Sequence, residues 1–270
     1  MTARKSAASN ADVALRDPAY VAQWIPIMKA VVKGWHRSEV HDLDKLPGGG
    51  ALVVGNHSGG MLPMDVPVFA TDLFERFGTE RPLFVLAHDV IFKGPLVEPL
   101  KRGGIIPATR ANARDALRAG GIVMVFPGGD YDAYRPTGQA NRIDFHDRTG
   151  YIHTALEAGV PIVPLVLIGG QENQLYLSRG QWLAKQIGLK KLLRTDILPI
   201  TVGVPFGLSF LLPPNVPLPT KIVSRVLDPI DVRKQFGVNP DIQQVDHHIR
   251  SVMQEALDDL AKGRRFPILG

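Results

Sequence analysis

The sequence predicts an α/β fold: a mostly parallel central sheet flanked by helices, with helical additions at the N- and C-terminal ends. Two observations carry this. Short aliphatic runs alternate along the chain with amphipathic stretches, the order expected of strands joined by packed helices. The helical stretches also stop at glycines, Gly120 and Gly121 after Arg110–Ala119 and Gly159 after Thr149–Ala158, where a C-terminal cap belongs.

Taken in chain order, residues 1–17 read as a disordered tail whose first ten residues lack the apolar core of a secretory signal. Residues 18–270 read as one domain. The length is near the upper limit of one core, and no Ser-rich, Gln-rich or charged linker divides it. Tyr20 to Trp35 carries Trp24, Ile27, Val31 and Trp35 beside Lys29 and Lys33, the composition of a helix that lies at a membrane interface. Ala51–Gly55 is a short aliphatic run after Gly48, Gly49 and Gly50 and reads as a buried strand, with a helix from Val66 to about Phe77 beyond it. Further strands are expected over residues 83–87, 121–126, 162–168 and 221–227. The last helix, about Asp241 to Lys262, repeats Ile242, Val245, Ile249, Val252 or Met253, Ala256 and Leu260 on one face.

Two segments raise the question of a membrane. Residues 197–220 hold no charge over a bilayer-spanning length, yet six prolines break any helix drawn through them, so the segment does not span. Thr201–Val204 reads as a buried strand, and Phe206 to Leu212 as an apolar lip toward a membrane or an acyl chain. Residues 182–194 carry Lys185, Lys190, Lys191 and Arg194 with Trp and Leu between them and no acid, a second interfacial composition beside the solvated-helix alternative.

A formal net charge of +5 fits anionic lipid or an anionic cosubstrate such as coenzyme A. The positive residues are scattered, and no RNA-binding aromatic motif or helix-turn-helix pattern occurs, so nucleic acid ranks last. The absence of cysteine excludes disulfides, a Cys-based zinc site and a thiol-linked acyl intermediate. Asp130, Asp132, Asp144, His146 and Asp147 do not read as a metal site, because carboxylates crowd most surface loops.

The most informative block is Asn56-His57-Ser58-Gly59-Gly60 with Asp65 a short loop later, placed where the strand over residues 51–55 ends. Active sites of open α/β sheets form at such carboxyl ends. His57 and Asp65 have the parts of a general base and its orienting carboxylate. The plainer alternative is a hydrogen-bonded loop histidine and a helix N-cap. Three later blocks accompany them: residues 103–117 with Arg110, Phe126-Pro127-Gly128-Gly129 with Asp130 to Asp132, and Val160 to Val166.

In that order the four blocks resemble the phospholipid/glycerol acyltransferase family over roughly residues 50–170. The common family pattern has four residues between the His and the Asp, and here there are seven. The third block usually reads Phe-Pro-Glu-Gly-Thr-Arg. Here Gly128 takes the Glu position and no Thr-Arg follows Gly129, which looks more like the diacylglycerol-acyltransferase-type branches.

The resemblance implies acyl transfer from a thioester, acyl-CoA or acyl carrier protein, to a hydroxyl of a glycerolipid, lysophospholipid or glycolipid. It implies neither a permanently bound cofactor nor a metal; the two interfacial segments beside a lipid-type site point to peripheral attachment at the cytoplasmic side of a membrane. His57 would be the base and Asp65 would hold its other ring nitrogen. Arg110 would bind an acceptor phosphate, or else pair with Asp115. Gly128 and Gly129 would offer backbone N–H groups to an oxyanion or phosphate, or else make a tight turn. Asn56 is placed with the substrate-binding residues, and Ser58 reads as a loop hydroxyl. Two other readings stay open: a lipid-binding protein without catalysis, and an esterase-like hydrolase suggested by His57-Ser58-Gly59-Gly60 but lacking a Gly-x-Ser-x-Gly elbow.

Overall fold

The structure, a computed structural model, describes residues 11–60, 62–190, 195–210, 212–264 and 266. The chain opens with α1 (Pro18–Lys29), β1 (Glu39–His41), β2 (Ala51–Gly55), α2 (Asp65–Phe77) and β3 (Leu83–Ala87). Next come α3 (Val97–Arg102), β4 (Ile105–Pro107), α4 (Arg110–Arg118), β5 (Ile122–Val125), α5 (Gly129–Ala133), α6 (Gly150–Ala158) and β6 (Ile162–Ile168). The last third holds β7 (Leu175–Ser178), α7 (Gln181–Gln186), β8 (Ile200–Gly203), β9 (Gly207–Phe210), β10 (Val223–Val226), α8 (Val232–Phe236) and α9 (Ile242–Lys262).

Seven strands form the main sheet in the order β1-β10-β6-β2-β5-β3-β4. Every pairing is parallel except β10 with β6. The expectation of a mostly parallel sheet is met, and its reason is visible in β2 and β6. All their residues are buried, because helices cover both faces and such strands read as unbroken aliphatic runs.

The period of two decides which residue faces which layer. Ala51 and Val53 join α1 and α2 through Val21, Phe69 and Leu73, whereas Leu52 and Val54 join α4, α6 and α9 on the other face. Helix α9 buries Val245, Ile249, Met253, Ala256, Leu257 and Leu260, with Met253 fully buried and Val252 packed half-buried at the edge of the same cluster. Each fully buried Leu, Ile, Val or Met stabilises the layer by about 1.5–3 kcal/mol.

Three expectations need correction. Residues 11–17, read above as tail, form a helical turn and a connector. Asp12 pairs with Lys101 at 2.6 Å, Asp17 with Arg102 at 2.8 Å, and Val13 packs on the core; residues 1–10 lie outside those described. Thr201–Val204 is not a buried strand, since Thr201 is buried but Val204 is exposed. The strand, β8, belongs to a separate antiparallel sheet, β7-β8-β9. In the basic segment the helix Gln181–Gln186 breaks at Ile187 and Gly188, where Gly188 has φ +67; Leu189 and Lys190 are again helical, and Lys191 and Arg194 lie outside the described residues. Among the described residues no helix is long and apolar enough to cross a membrane.

Candidate active site

The candidate site is built at the carboxyl end of β2. The strand stops at Gly55, a loop carries Asn56 to Met64, and α2 begins at Asp65 with Met64 as its N-cap. Asp65 is therefore the first residue of the helix and not its cap. Its carboxylate is fully buried and accepts from His57 Nδ1 at 2.7 Å, Ser58 N at 2.8 Å and Ser58 Oγ at 2.7 Å. The buried charge is thus hydrogen-bonded on both oxygens, as desolvation demands. The seven-residue interval still brings His57 and Asp65 together.

Ser58 differs from its expected role. The hydroxyl does not point away as a loop group but converges on Asp65 with His57. A buried serine that donates to a carboxylate is no free nucleophile, which removes the residue an esterase reading would need.

The loop's second support is α5, behind the third block. His57 N donates to Asp132 Oδ2 at 2.5 Å, and Gly60 N donates to Ala133 O at 3.1 Å. Asp132 pairs with Arg135, both wholly inside the protein, and Arg135 Nη1 donates to Ala140 O at 2.9 Å. Burial pulls the Arg135 guanidinium down to about 10. Gly60 has φ +61, and a Cβ there would lie 1.9 Å from Tyr176 Oη; only glycine fits this close approach. The Asp132–Arg135 support was absent from the sequence reading. Its one signal was an acid and a base spaced i, i+3 just after Gly128 and Gly129.

The imidazole of His57 is partly exposed and stacks on Phe126, with centroids 4.4 Å apart and planes 21° apart. With Nδ1 bound to Asp65, the donor role belongs to Nδ1–H, and the Nε2 lone pair is left for a substrate proton. Phe126 also borders a cavity of about 240 Å³ with Arg110, Arg148 and Thr109 around it and Leu52, Leu86 and Val125 as apolar wall. Arg110 is exposed at this cavity, at the start of α4. Its expected alternative partner, Asp115, is paired with Arg114 at 3.2 Å. Arg148 braces the turn, donating to Pro127 O and Gly128 O, each at 3.2 Å. Sequence reasoning missed Arg148 because twenty residues separate it from the turn it contacts.

Two assigned binding residues are structural. Asn56 is buried, and its amide spans β2 and β6: Nδ2 donates to Leu167 O at 2.9 Å and Oδ1 accepts from Leu167 N at 2.8 Å. With both functions bound to backbone, Asn56 has nothing to offer a substrate. Gly129 N donates to Phe126 O at 3.0 Å, so that N–H closes the turn and is not free for an oxyanion. Gly128 is buried, and a Cβ there would sit 2.5 Å from Asp132 Cβ and 2.6 Å from the Asp144 carbonyl. The turn leaves no room for a glutamate side chain. Among the described residues no cluster of His, Asp or Glu is arranged to hold a metal.

These features define a class: an open α/β protein with a histidine–carboxylate pair at the carboxyl end of a central strand. A family profile described as Acyltransferase matches residues 37–168. An uncharacterized protein of Mycobacterium tuberculosis is 30% identical over 251 residues, covering 91% of this chain and 67% of that protein. The mouse DGAT1/2-independent enzyme synthesizing storage lipids is 29% identical over 225 residues, covering 81% of this chain and 64% of its own length. The crystal structure of the 1-acyl-sn-glycerophosphate acyltransferase PlsC of Thermotoga maritima superposes with a TM-score of 0.56 at 17% identity, covering 90% of this chain and 81% of that one. That likeness speaks for the fold. The chain belongs to the phospholipid/glycerol acyltransferase family.

Proposed function

We propose that the protein moves a fatty acyl group from an acyl thioester, carried by coenzyme A or acyl carrier protein, to a hydroxyl of a glycerolipid, lysophospholipid or glycolipid. The observation that carries this reading is the 2.7 Å contact between His57 Nδ1 and the fully buried Asp65. Held this way, His57 Nε2 takes the acceptor's hydroxyl proton as the acceptor oxygen attacks the thioester carbonyl. Asp65 stabilises the imidazolium that forms. Collapse of the tetrahedral adduct breaks the carbon–sulfur bond, and the departing thiolate recovers the proton from Nε2. Transfer is direct, since the chain has no cysteine and Ser58 is engaged with Asp65.

Arg110, exposed at the cavity beside Phe126, supplies a cation for an acceptor phosphate one ring away from the base, while Arg148 holds the Pro127–Gly128 turn and pairs with Asp130 at 3.4 Å. Gly128 contributes its backbone N–H toward the developing oxyanion. The reaction takes place at the cytoplasmic surface of a membrane that the protein meets peripherally, where lipid acceptors reside.

Coenzyme A release from acyl-CoA, measured with and without an acceptor, tests the reading. A transferase needs the acceptor, a hydrolase does not, and a lipid binder releases none. His57→Ala is expected to lose about 10²–10⁴-fold in turnover with its melting curve unchanged; wild-type turnover in that variant would overturn the assignment. Arg110→Ala is expected to raise KM for phosphorylated acceptors and leave neutral ones alone.

A further inference from the structure

The β7-β8-β9 sheet has its polarity inside out. In β9, Ser209 is buried while Leu208 and Phe210 are 57% and 44% exposed; in β7, Tyr176 is buried while Leu175 and Leu177 are 45% and 52% exposed. The register sets Leu175 opposite Val202, Val202 opposite Leu208 and Ile200 opposite Phe210, so the outward rows run apolar across all three strands. The inward face is the polar one. Thr201 Oγ1 lies 2.8 Å from Ser209 Oγ, and Asn215 Nδ2 donates to Ser209 Oγ at 3.2 Å. A sheet between a core and water shows the opposite alternation.

The apolar surface continues beyond the sheet. Trp35 Nε1 donates to Pro217 O at 2.9 Å, which joins to this region the exposed row Trp24, Ile27, Val31 and Trp35. With its ring N–H already satisfied, the Trp35 indole can enter an apolar medium without an unpaired donor. Contiguous exposed apolar surface of this kind marks a contact site.

We infer that this sheet face docks on the surface of an anionic lipid bilayer, with Phe206, Leu208 and Phe210 entering the acyl boundary. Charge selects the occupant. Residues 197–220 carry no charge, and the flanks from 171 to 221 hold Arg179, Lys185, Lys190, Lys191, Arg194 and Lys221 against Glu172 and Asp196. A surplus of basic residues in the sequence on either side of an uncharged apolar segment complements anionic headgroups over hydrocarbon, whereas two copies face to face would set like net charge against like. Among the described residues Lys185 is exposed, while Lys190 and Lys221 pair with Asp196 and Glu39. The sheet's inner face meets the candidate site: Tyr176 fills the space over Gly60, and Asn173 Nδ2 would lie 3.0 Å from a Cβ at Gly59. One layer of side chains therefore separates docked lipid from the His57 loop. The inference rests on the lipid-acceptor reading, and its test reads binding alone.

The chain has no cysteine, so Leu208→Cys in the full-length protein takes one environment-sensitive fluorophore. Glu255→Cys, on the exposed side of α9, is the control. With phosphatidylcholine–phosphatidylglycerol vesicles the label at 208 is expected to shift to the blue and the label at 255 to stay unchanged. Combined Phe206→Ser, Leu208→Ser and Phe210→Ser is expected to weaken co-sedimentation by about tenfold or more, with the wild-type melting temperature. No sedimentation of wild type, an unmoved label at 208, or equal binding of the triple variant would each overturn the inference. So would a blue shift that depends on protein concentration without vesicles, which would assign the face to self-association. Vesicle binding through residue 208 without acyl transfer would leave docking intact and sink the catalytic reading instead.

Discussion

Replacing Asp65 by Asn tests the dyad with little change in shape. In the wild type Asp65 Oδ2 accepts from both His57 Nδ1 and Ser58 N, and Oδ1 accepts from Ser58 Oγ. An amide in the same place must keep its oxygen toward the Ser58 N–H, because that donor cannot turn. The NH₂ then falls on Ser58 Oγ, a hydroxyl that can reverse and accept. His57 Nδ1–H still has an acceptor, so the tautomer survives and only the charge is lost.

In the transition state that charge faces an imidazolium across the 2.7 Å contact. At an effective dielectric near 20 and a charge separation of about 4 Å, the attraction is about 4 kcal/mol. A neutral hydrogen bond returns about 1 kcal/mol, which leaves a net loss of about 3 kcal/mol, or roughly a hundredfold in kcat. The assay is steady-state turnover at saturating acceptor, beside a thermal melt to show that the fold persists. An unchanged kcat would refute the dyad. A loss of about 10⁴-fold, the upper end of what a general base supplies, would refute the claim that Ser58 fixes the amide's orientation.

Three further outcomes are expected. Asn56→Ala strands the backbone N–H and C=O of Leu167 and is expected to cost about 2–4 kcal/mol in denaturant unfolding without changing acceptor KM; a raised KM at unchanged stability would restore Asn56 as a binding residue. Asp132→Asn leaves the buried Arg135 without its counter-charge and is expected to cost about 3–5 kcal/mol, most of it recovered by adding Arg135→Met, and failure of that rescue would deny the pair its supporting role. His36 is buried, with Nδ1 3.1 Å from Thr220 O, and burial lowers its pKa from 6.5. Below pH 6.5 the unfolded chain binds a proton that the folded state resists, so stability falls on acidification; His36→Gln should flatten the slope of melting temperature between pH 7 and 5, and an equal slope in both proteins would assign acid sensitivity elsewhere.

Five of the seven strands of the main sheet were legible, the central ones because burial on both faces forces an unbroken aliphatic run, whereas β1 and β4, three residues each at the two sheet edges, carry no such run. Helix α9 was legible because one apolar stripe repeats over 21 residues. His57 and Asp65 were legible because catalytic groups gather at the carboxyl end of such a strand. The rest depended on contacts that no local pattern encodes. Asn56 stands beside His57 in sequence, yet strand pleating and the neighbouring β6 turn its amide inward to Leu167. Ser58 turns to Asp65 because the loop closes on α5 through Asp132 and Ala133, some 75 residues away. Of the β7-β8-β9 sheet only β8 was read as a strand, and as a buried one, because the sheet's apolar residues face outward, the reverse of the assumption by which strands are read as buried. Composition and periodicity set which segments become strands and helices. Only the packing of distant segments decided which polar groups are spent on the fold and which remain for chemistry, since a hydrogen bond's partner is chosen by position in space and not by order along the chain.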